Sequence, residues 1–381
     1  MRKAIRAGVL MGIYTIIDDA GLDKNIDKDI AICKEGALRL FGNRLISLVL
    51  IGGYGQGEGG LARSGGSFLP KNNYDFLVVL KTAPFWEKRK MERALEGLKK
   101  ELDAKLLALF ECRLRSDSQV RRSPNVMIFH DIYNSSKTVY GEDIRRLLPP
   151  RVAELLPPIE SLRIIKNRSM LLLAAILKIE HQNYKLTPRQ VKIWFSKAII
   201  GFGDAILILK KEYVTKYYEK MIAIKRLDFQ DAFVETTDYQ YFKRLHEAAS
   251  LYRLKDEDSD LLKDFDKGIK VLEQVNLWAL REYTKDAGFN WGKLANISLY
   301  AKEPLPRALK NIAINIKKYG VFQNLRDIMI SPSDRLLKVV PLLLYRPNFD
   351  FLKICRVEMH MNKEATLDDI QRECFNVYAE N

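Results

Sequence analysis

A cluster of glycines marks the part of this sequence whose composition is best suited to chemistry. Six glycines fall within the nine residues 52–60, directly after the apolar run Leu45–Ile51. Glycine lets backbone N–H groups approach a ligand closely, and consecutive amides form a concave anion site. The segment therefore predicts a binding site for phosphate groups. The glycines that we expect to line it are Gly52, Gly53, Gly55 and Gly57.

Two familiar phosphate-binding loops fit the glycine cluster poorly. A Walker A loop is excluded, because no Lys-Ser or Lys-Thr pair follows the glycines. The GxGxxG pattern of a dinucleotide-binding fold is formed by Gly55, Gly57 and Gly60. However, the sequence 64–70 contains glycine, serine and proline, which interrupt the helix that should follow.

Acidic and amide side chains on two predicted strands could complete such a site. Residues 73 and 75 share one face of an extended segment, because side chains alternate along a strand. These positions hold Asn73 and Asp75, and the third predicted strand carries Glu111. Asp117 lies just beyond that strand.

Together these features resemble the nucleotidyltransferase superfamily with the DNA polymerase beta-like fold. Its signature is a strand, a Gly-Gly or Gly-Ser pair, a short helix, and alternating acids on the neighbouring strand. Gly52–Gly53 and Asp75 match it, and Gly53–Glu58 is similar to a Gly-x-Gly-Arg-Gly-Glu variant of uncharacterised prokaryotic members. The resemblance covers roughly residues 40–145.

The resemblance implies a reaction in which an NMP is moved from a nucleoside triphosphate (NTP) to a hydroxyl acceptor. The acceptor could belong to a small molecule, a protein or RNA, and two Mg²⁺ (or Mn²⁺) ions assist the transfer. Asp75, Glu111 and Asn73 are then the metal ligands and catalytic residues, with Asp117, or no acid at all, as the alternatives to Glu111. Asn73 departs from the family pattern, because it offers an oxygen without negative charge and should weaken metal binding.

Two further residues are implied as nucleotide contacts, and each has another interpretation. Glu58 could add a carboxylate to the site, or it could be an acid in the first turn of a helix, facing the helix dipole. Lys197 could meet a phosphate, or it could lie on a solvated or helix-pairing edge. The substitution at Asn73 also leaves a second function open. The chain would then be a catalytically impaired member that binds nucleotide or nucleic acid as a regulator or scaffold.

The elements that must position these residues can be read from hydrophobic periodicity. We expect helices over 3–18, 26–41 and 86–109, with Asp27 or Asp29 capping the second and Gly42 ending it. Strands are expected over 45–51, 75–80, 110–114 and 126–132. The last of these contains His130, which we interpret as structural.

The pattern changes after Pro149–Pro150, from mixed strands and helices to helices alone. We therefore expect an α+β domain over residues 1–150, with a mixed sheet, followed by an all-α domain over residues 151–381. Thr187–Pro188 is a typical helix start within the second domain, because threonine caps and proline fits the first turn.

Composition narrows the classes of function. The 381 residues carry a formal net charge of +15, which suits a polyanionic partner. The four cysteines show no CxxC spacing, which argues against a zinc ribbon and fits a reducing, cytoplasmic location.

Polar residues interrupt the apolar stretch 193–209, so we expect no membrane span. The apolar stretch 7–17 precedes two aspartates without a cleavage site, so a helix is favoured over a signal peptide.

Overall fold

A computed structural model describes residues 12–71, 73–82, 84–181, 187–255, 260–297, 299, 305–319, 328–346 and 349–379. The chain forms two compact units. The first contains Met1–Pro157, Lys211–Arg226 and Glu247–Ser259. The second contains Pro158–Lys210, Leu227–His246 and Asp260–Asn381.

The first unit contains the predicted mixed sheet. Its strands are β1 (Leu45–Ile51), β2 (Leu61–Ser64), β3 (Ser67–Pro70), β4 (Tyr74–Leu80), β5 (Phe110–Ser116) and β6 (Lys137–Gly141). Its helices are α1 (Ala20–Phe41), α2 (Gly52–Gln56), α3 (Phe85–Asp103), α4 (Asp117–Arg121), α5 (Met127–Ser135), α6 (Ile144–Leu147) and α9 (Tyr217–Arg226).

Four strands form one sheet in the order β5-β4-β1-β6. Strand β1 is antiparallel to both β4 and β6, whereas β4 and β5 are parallel. The near-continuous apolar sequences of β1 and β4 fit central strands, because both faces of these strands are covered. Helices α1 and α3 pack on one face, and α4, α5 and α6 pack on the other.

The start of the chain differs from the predicted first helix. Residues 3–11 lie outside the described part of the chain, and residues 13–17 form bends. The first described helix begins at Ala20, because the side chain of Asp19 accepts hydrogen bonds from the N–H groups of Gly21 and Leu22. The predicted caps Asp27 and Asp29 are therefore wrong, while the predicted end at Gly42 is confirmed by its φ of 51°.

The predicted fourth strand is also wrong. Residues 127–135 form α5, because Phe129, Ile132 and Tyr133 pack against the sheet at helical spacing. The fourth strand is instead β6, which pairs with β1. His130 is buried on α5, its ring 5.3 Å from the ring of Tyr213, in keeping with a structural role.

In the second unit, the described elements are all helical. They are α7 (Ile159–His181), α8 (Pro188–Leu209), α11 (Phe265–Thr284), α12 (Trp291–Asn296), α13 (Leu305–Tyr319), α14 (Pro332–Tyr345), α15 (Phe349–Glu358) and α16 (Leu367–Ala379). Helix α10 (Thr236–Lys255) contributes residues to both units. Thr187 caps α8 as predicted. Helix α7 packs against α8 and α14, and α11 packs against α8.

The molecule thus combines a small mixed sheet with many helices, as expected for the α+β class. Among the helices of the described residues, none has the length and apolar character needed to span a bilayer.

Candidate functional site

The glycine pair after β1 lies directly beside Asp75. Ile51 is the register partner of Asp75 across β1 and β4, so the chain enters the glycine segment at this point. A Cβ atom built on Gly52 would lie 2.8 Å from Oδ2 of Asp75, and Gly52 has a φ of +65°. Only glycine fits both the backbone conformation and the space. Asp75 and the glycine turn therefore lie side by side in the structure, as the sequence predicts.

Glu111 is the neighbouring acid on the sheet. Asp75 and Glu111 are register partners in the parallel pair β4–β5, so their side chains leave the same face of the sheet from strands about 4.8 Å apart. Asp117 begins α4, six residues beyond Glu111, which places it about 20 Å along the strand. Its carboxylate accepts a hydrogen bond from Thr82 at 2.6 Å. The structure thus brings Glu111, and not Asp117, next to Asp75.

A lysine holds the carboxylate of Glu111. Nζ of Lys99, on α3, lies 2.6 Å from Oε1 of Glu111. This hydrogen bond to the carboxylate raises the pKa of Lys99 above its ordinary value. The ion pair engages one oxygen of Glu111 and offsets its charge, so a metal ion at this position would compete with the ammonium group.

Asn73 immediately precedes β4 and is half-buried. The donor set available around Asp75 is therefore two carboxylates from adjoining strands and one amide oxygen in the sequence before β4. In the part of the chain that the structure describes, no three His, Cys, Asp or Glu side chains are grouped closely enough to hold a metal ion.

The remaining glycines of the cluster are explained by close packing. A Cβ atom on Gly55 would lie 2.4 Å from the carbonyl oxygen of Leu50, so α2 rests directly on β1. Gly57 ends α2 in the left-handed conformation, with a φ of 79°. A Cβ atom on Gly59 would lie 2.1 Å from the ring of Tyr54. These glycines make a compact turn, whereas Gly52 is the one that faces the acid.

Two tyrosines whose rings pack against each other at a tilt fix the backbone on either side of the site. The rings of Tyr54 and Tyr74 lie 4.9 Å apart, and the hydroxyl of Tyr54 donates to the carbonyl of Gly60 at 2.9 Å. The hydroxyl of Tyr74 donates to Asp29 at 3.0 Å. Burial raises the pKa of Asp29 above its ordinary value. Because Tyr74 precedes Asp75, this buried network holds the first residues of β4 in place.

Glu58 serves a helix rather than the open side of the site. Its carboxylate accepts hydrogen bonds from the backbone N–H groups of Tyr217 at 2.5 Å and Tyr218 at 3.1 Å, at the start of α9. The residue is only 1% exposed. Burial raises its pKa, and the two N–H groups oppose that shift. Both oxygens are thus engaged in capping α9. The alternative of an acid in the first turn of its own helix is wrong, because Glu58 follows the end of α2 at Gly57 and caps a helix far along the chain.

Lys197 lies half-buried on α8, within the second unit. Its contact with a nucleotide phosphate stays a prediction. Sequence reasoning missed Lys99 and Tyr74 as partners of the acids. The long, charged helix α3 gave no signal that one of its lysines would reach Glu111, since this contact depends on how the helix packs on the sheet.

In comparisons with known proteins, the chain matches no family model and no curated protein sequence.

Proposed function

We propose that this chain is a nucleotidyltransferase-like protein, with the polymerase beta-like fold in its first unit, that transfers an NMP from an NTP to a hydroxyl acceptor. The observation that carries the proposal is the contact between Gly52 and Asp75, where a strand end, a glycine turn and an acid meet. Backbone N–H groups of the turn would receive the phosphates, and Asp75 with Glu111 would face them.

The donor set fits a single Mg²⁺ or Mn²⁺ ion bound together with the nucleotide. Mg²⁺ at nucleotide sites keeps several waters and takes one or two carboxylates besides the phosphates. Asp75 and Glu111 would supply these, with Asn73 as a neutral donor. When bound, the ion would neutralise charge on the phosphates and activate the acceptor hydroxyl. The protein residues hold the triphosphate and orient it against the sheet.

A second function is favoured by the ion pair between Lys99 and Glu111. The charge of one carboxylate is already offset by a lysine, and the neutral Asn73 replaces another acid of the family pattern. A site with so little negative charge would bind a nucleotide or nucleic acid without turning it over. The protein would then act as a regulator or scaffold.

Incubation with labelled NTPs, total RNA and either Mg²⁺ or Mn²⁺ tests the proposal. We expect label transfer or pyrophosphate release that is lost in Asp75→Asn and retained in Asp117→Asn, which changes an acid at the other end of β5. NTP binding without turnover by any metal would support the second function. Absence of both binding and turnover would contradict the site.

A further inference from the structure

A short segment that precedes α1 is hydrogen-bonded to the glycine segment. We call this segment, residues 13–17, the strap. The backbone N–H group of Gly59 donates to the carbonyl of Tyr14 at 2.8 Å. A Cβ atom built on Gly57 would lie 3.4 Å from the carbonyl oxygen of Ile13. The strap therefore contacts the last residues of the glycine segment directly.

Acidic and basic side chains hold the strap from two elements of the first unit. The carboxylate of Asp23, on α1, accepts hydrogen bonds from the N–H groups of Ile13 at 2.7 Å and Tyr14 at 3.3 Å, and Asp23 is buried. The hydroxyl of Tyr14 donates to Asp27, one turn further along α1, at 2.5 Å. On β6, Nζ of Lys137 donates to the carbonyl of Ile13. The backbone of the strap is thus fixed by both α1 and β6.

Backbone hydrogen bonds continue from the strap to the glycine pair beside the acid. The N–H group of Glu58, the neighbour of Gly59, donates to the carbonyl of Gly53 at 2.8 Å. A Cβ atom built on Gly53 would lie 3.0 Å from the carbonyl oxygen of Glu58, so the segment closes tightly on itself. Gly53 in turn follows Gly52, which faces Asp75. A displacement of the strap would therefore be passed to the turn that lies beside the acid.

We propose that the strap keeps the glycine turn in the conformation that binds the triphosphate, with Asp23 as the positioning residue. This inference rests on the proposed function, because it concerns the same turn and the same nucleotide. Without the strap, the turn would adopt the binding conformation for only part of the time, and the measured affinity would fall by that fraction. Asp75 and Glu111 belong to β4 and β5, so turnover of bound nucleotide should be retained.

The direction of the change in affinity separates positioning from electrostatics. Asp23→Asn keeps the shape of the side chain but removes the charge that strengthens its two hydrogen bonds to the strap. We expect about ten-fold weaker binding of a non-hydrolysable NTP with Mg²⁺, measured by calorimetry on the full chain. Electrostatics alone predicts the opposite, because removing a negative charge favours binding of an anion.

Asp18→Asn is the matched control, since it removes the same charge from an exposed side chain directly after the strap. It should not weaken binding of the NTP. In turnover assays, Asp23→Asn should raise KM about ten-fold and leave kcat unchanged. Hydrogen exchange without nucleotide should accelerate at the amides of Glu58 and Gly59 in Asp23→Asn alone. Circular dichroism checks that each variant is folded.

The outcomes distinguish this inference from the proposed function. If the wild type binds NTP and Asp23→Asn binds it equally well or more tightly, the positioning role is overturned and the proposed function stands. Unchanged exchange at Gly59 in Asp23→Asn would likewise overturn the role of the strap. If the wild type binds no NTP, the proposed function is overturned and the inference with it.

Discussion

Gly52 and Asp75 make the candidate site at the scale of single residues. The backbone of Gly52 adopts a positive φ, and its missing side chain leaves the space that Oδ2 of Asp75 approaches. Both properties require glycine. The turn after β1 can therefore lie this close to Asp75 only with glycine at position 52. Neither property is needed at the exposed Gly97 of α3, where nothing lies within 4 Å of a Cβ atom.

Gly52→Ala tests this dependence. We expect a loss of about 2 kcal/mol in the free energy of unfolding, because the new Cβ meets Asp75 and the residue must keep a left-handed φ. The control Gly97→Ala should instead stabilise by about 0.5–1 kcal/mol, since alanine favours a helix interior. Urea denaturation measures both. Equal effects of the two substitutions would show that Gly52 is not constrained by the acid.

At the scale of elements, Glu58 connects the glycine segment to α9. The carboxylate accepts from the first two N–H groups of that helix and supplies partners that the helix itself cannot provide. The hydroxyl of Tyr213 also donates to Asp131 at 3.0 Å, just before α9. The returning segment 211–226 is therefore fixed within the first unit by contacts at two points.

Removing this cap should loosen α9 selectively. We expect Glu58→Ala to lower the free energy of unfolding by about 2 kcal/mol, because two N–H groups at the start of α9 lose their acceptor. Hydrogen exchange of the amides of Tyr217 and Tyr218 should accelerate. Glu219→Ala, which changes an acid within the same helix, should have less than about 0.5 kcal/mol of effect. Unaltered exchange at the start of α9 in Glu58→Ala would refute the capping role.

Some elements of the fold can be predicted from the local sequence, whereas others depend on contacts that form only in the folded chain. Strands β1 and β4 and the helix beginning at Pro188 follow from local patterns, because apolar runs and caps act within a few residues. The segment 126–132 does not, since a short apolar run is compatible with a strand or a helix until its packing partner is known. Asp75 and Gly52 could be selected from the sequence, whereas the pairing of Lys99 with Glu111 could not.

At the scale of the whole molecule, each of the two units buries charge within its own core. In the second unit, Nζ of Lys166 donates to the hydroxyl of Ser333 at 2.9 Å and to the carbonyl of Ser333 at 3.1 Å. Burial lowers the pKa of Lys166 from 10.5 to about 8. The unfolded chain therefore binds this proton more tightly than the folded chain between these two values.

The stability of the second unit should consequently rise with pH in this window. Above pH 8 the folded lysine loses its proton first, so the cost of burying its charge disappears while the unfolded lysine stays charged. Relative to Lys166→Met, the wild type should gain about 2 kcal/mol in the free energy of unfolding between pH 8 and pH 10.5. Thermal or urea unfolding at a series of pH values measures the difference. If the free energy of unfolding changed with pH in the same way in the wild type and in Lys166→Met, the lowered pKa of Lys166 would be contradicted.

The most direct test of the account is a titration of Mn²⁺ with a non-hydrolysable NTP into the full chain and two variants. If the acid beside the glycine turn holds a metal–nucleotide complex, Asp75→Ala should abolish Mn²⁺ binding. Asn73→Asp should raise Mn²⁺ affinity, because it restores a negative charge before β4. Mn²⁺ binding that is the same in the wild type and both variants would contradict the proposed site.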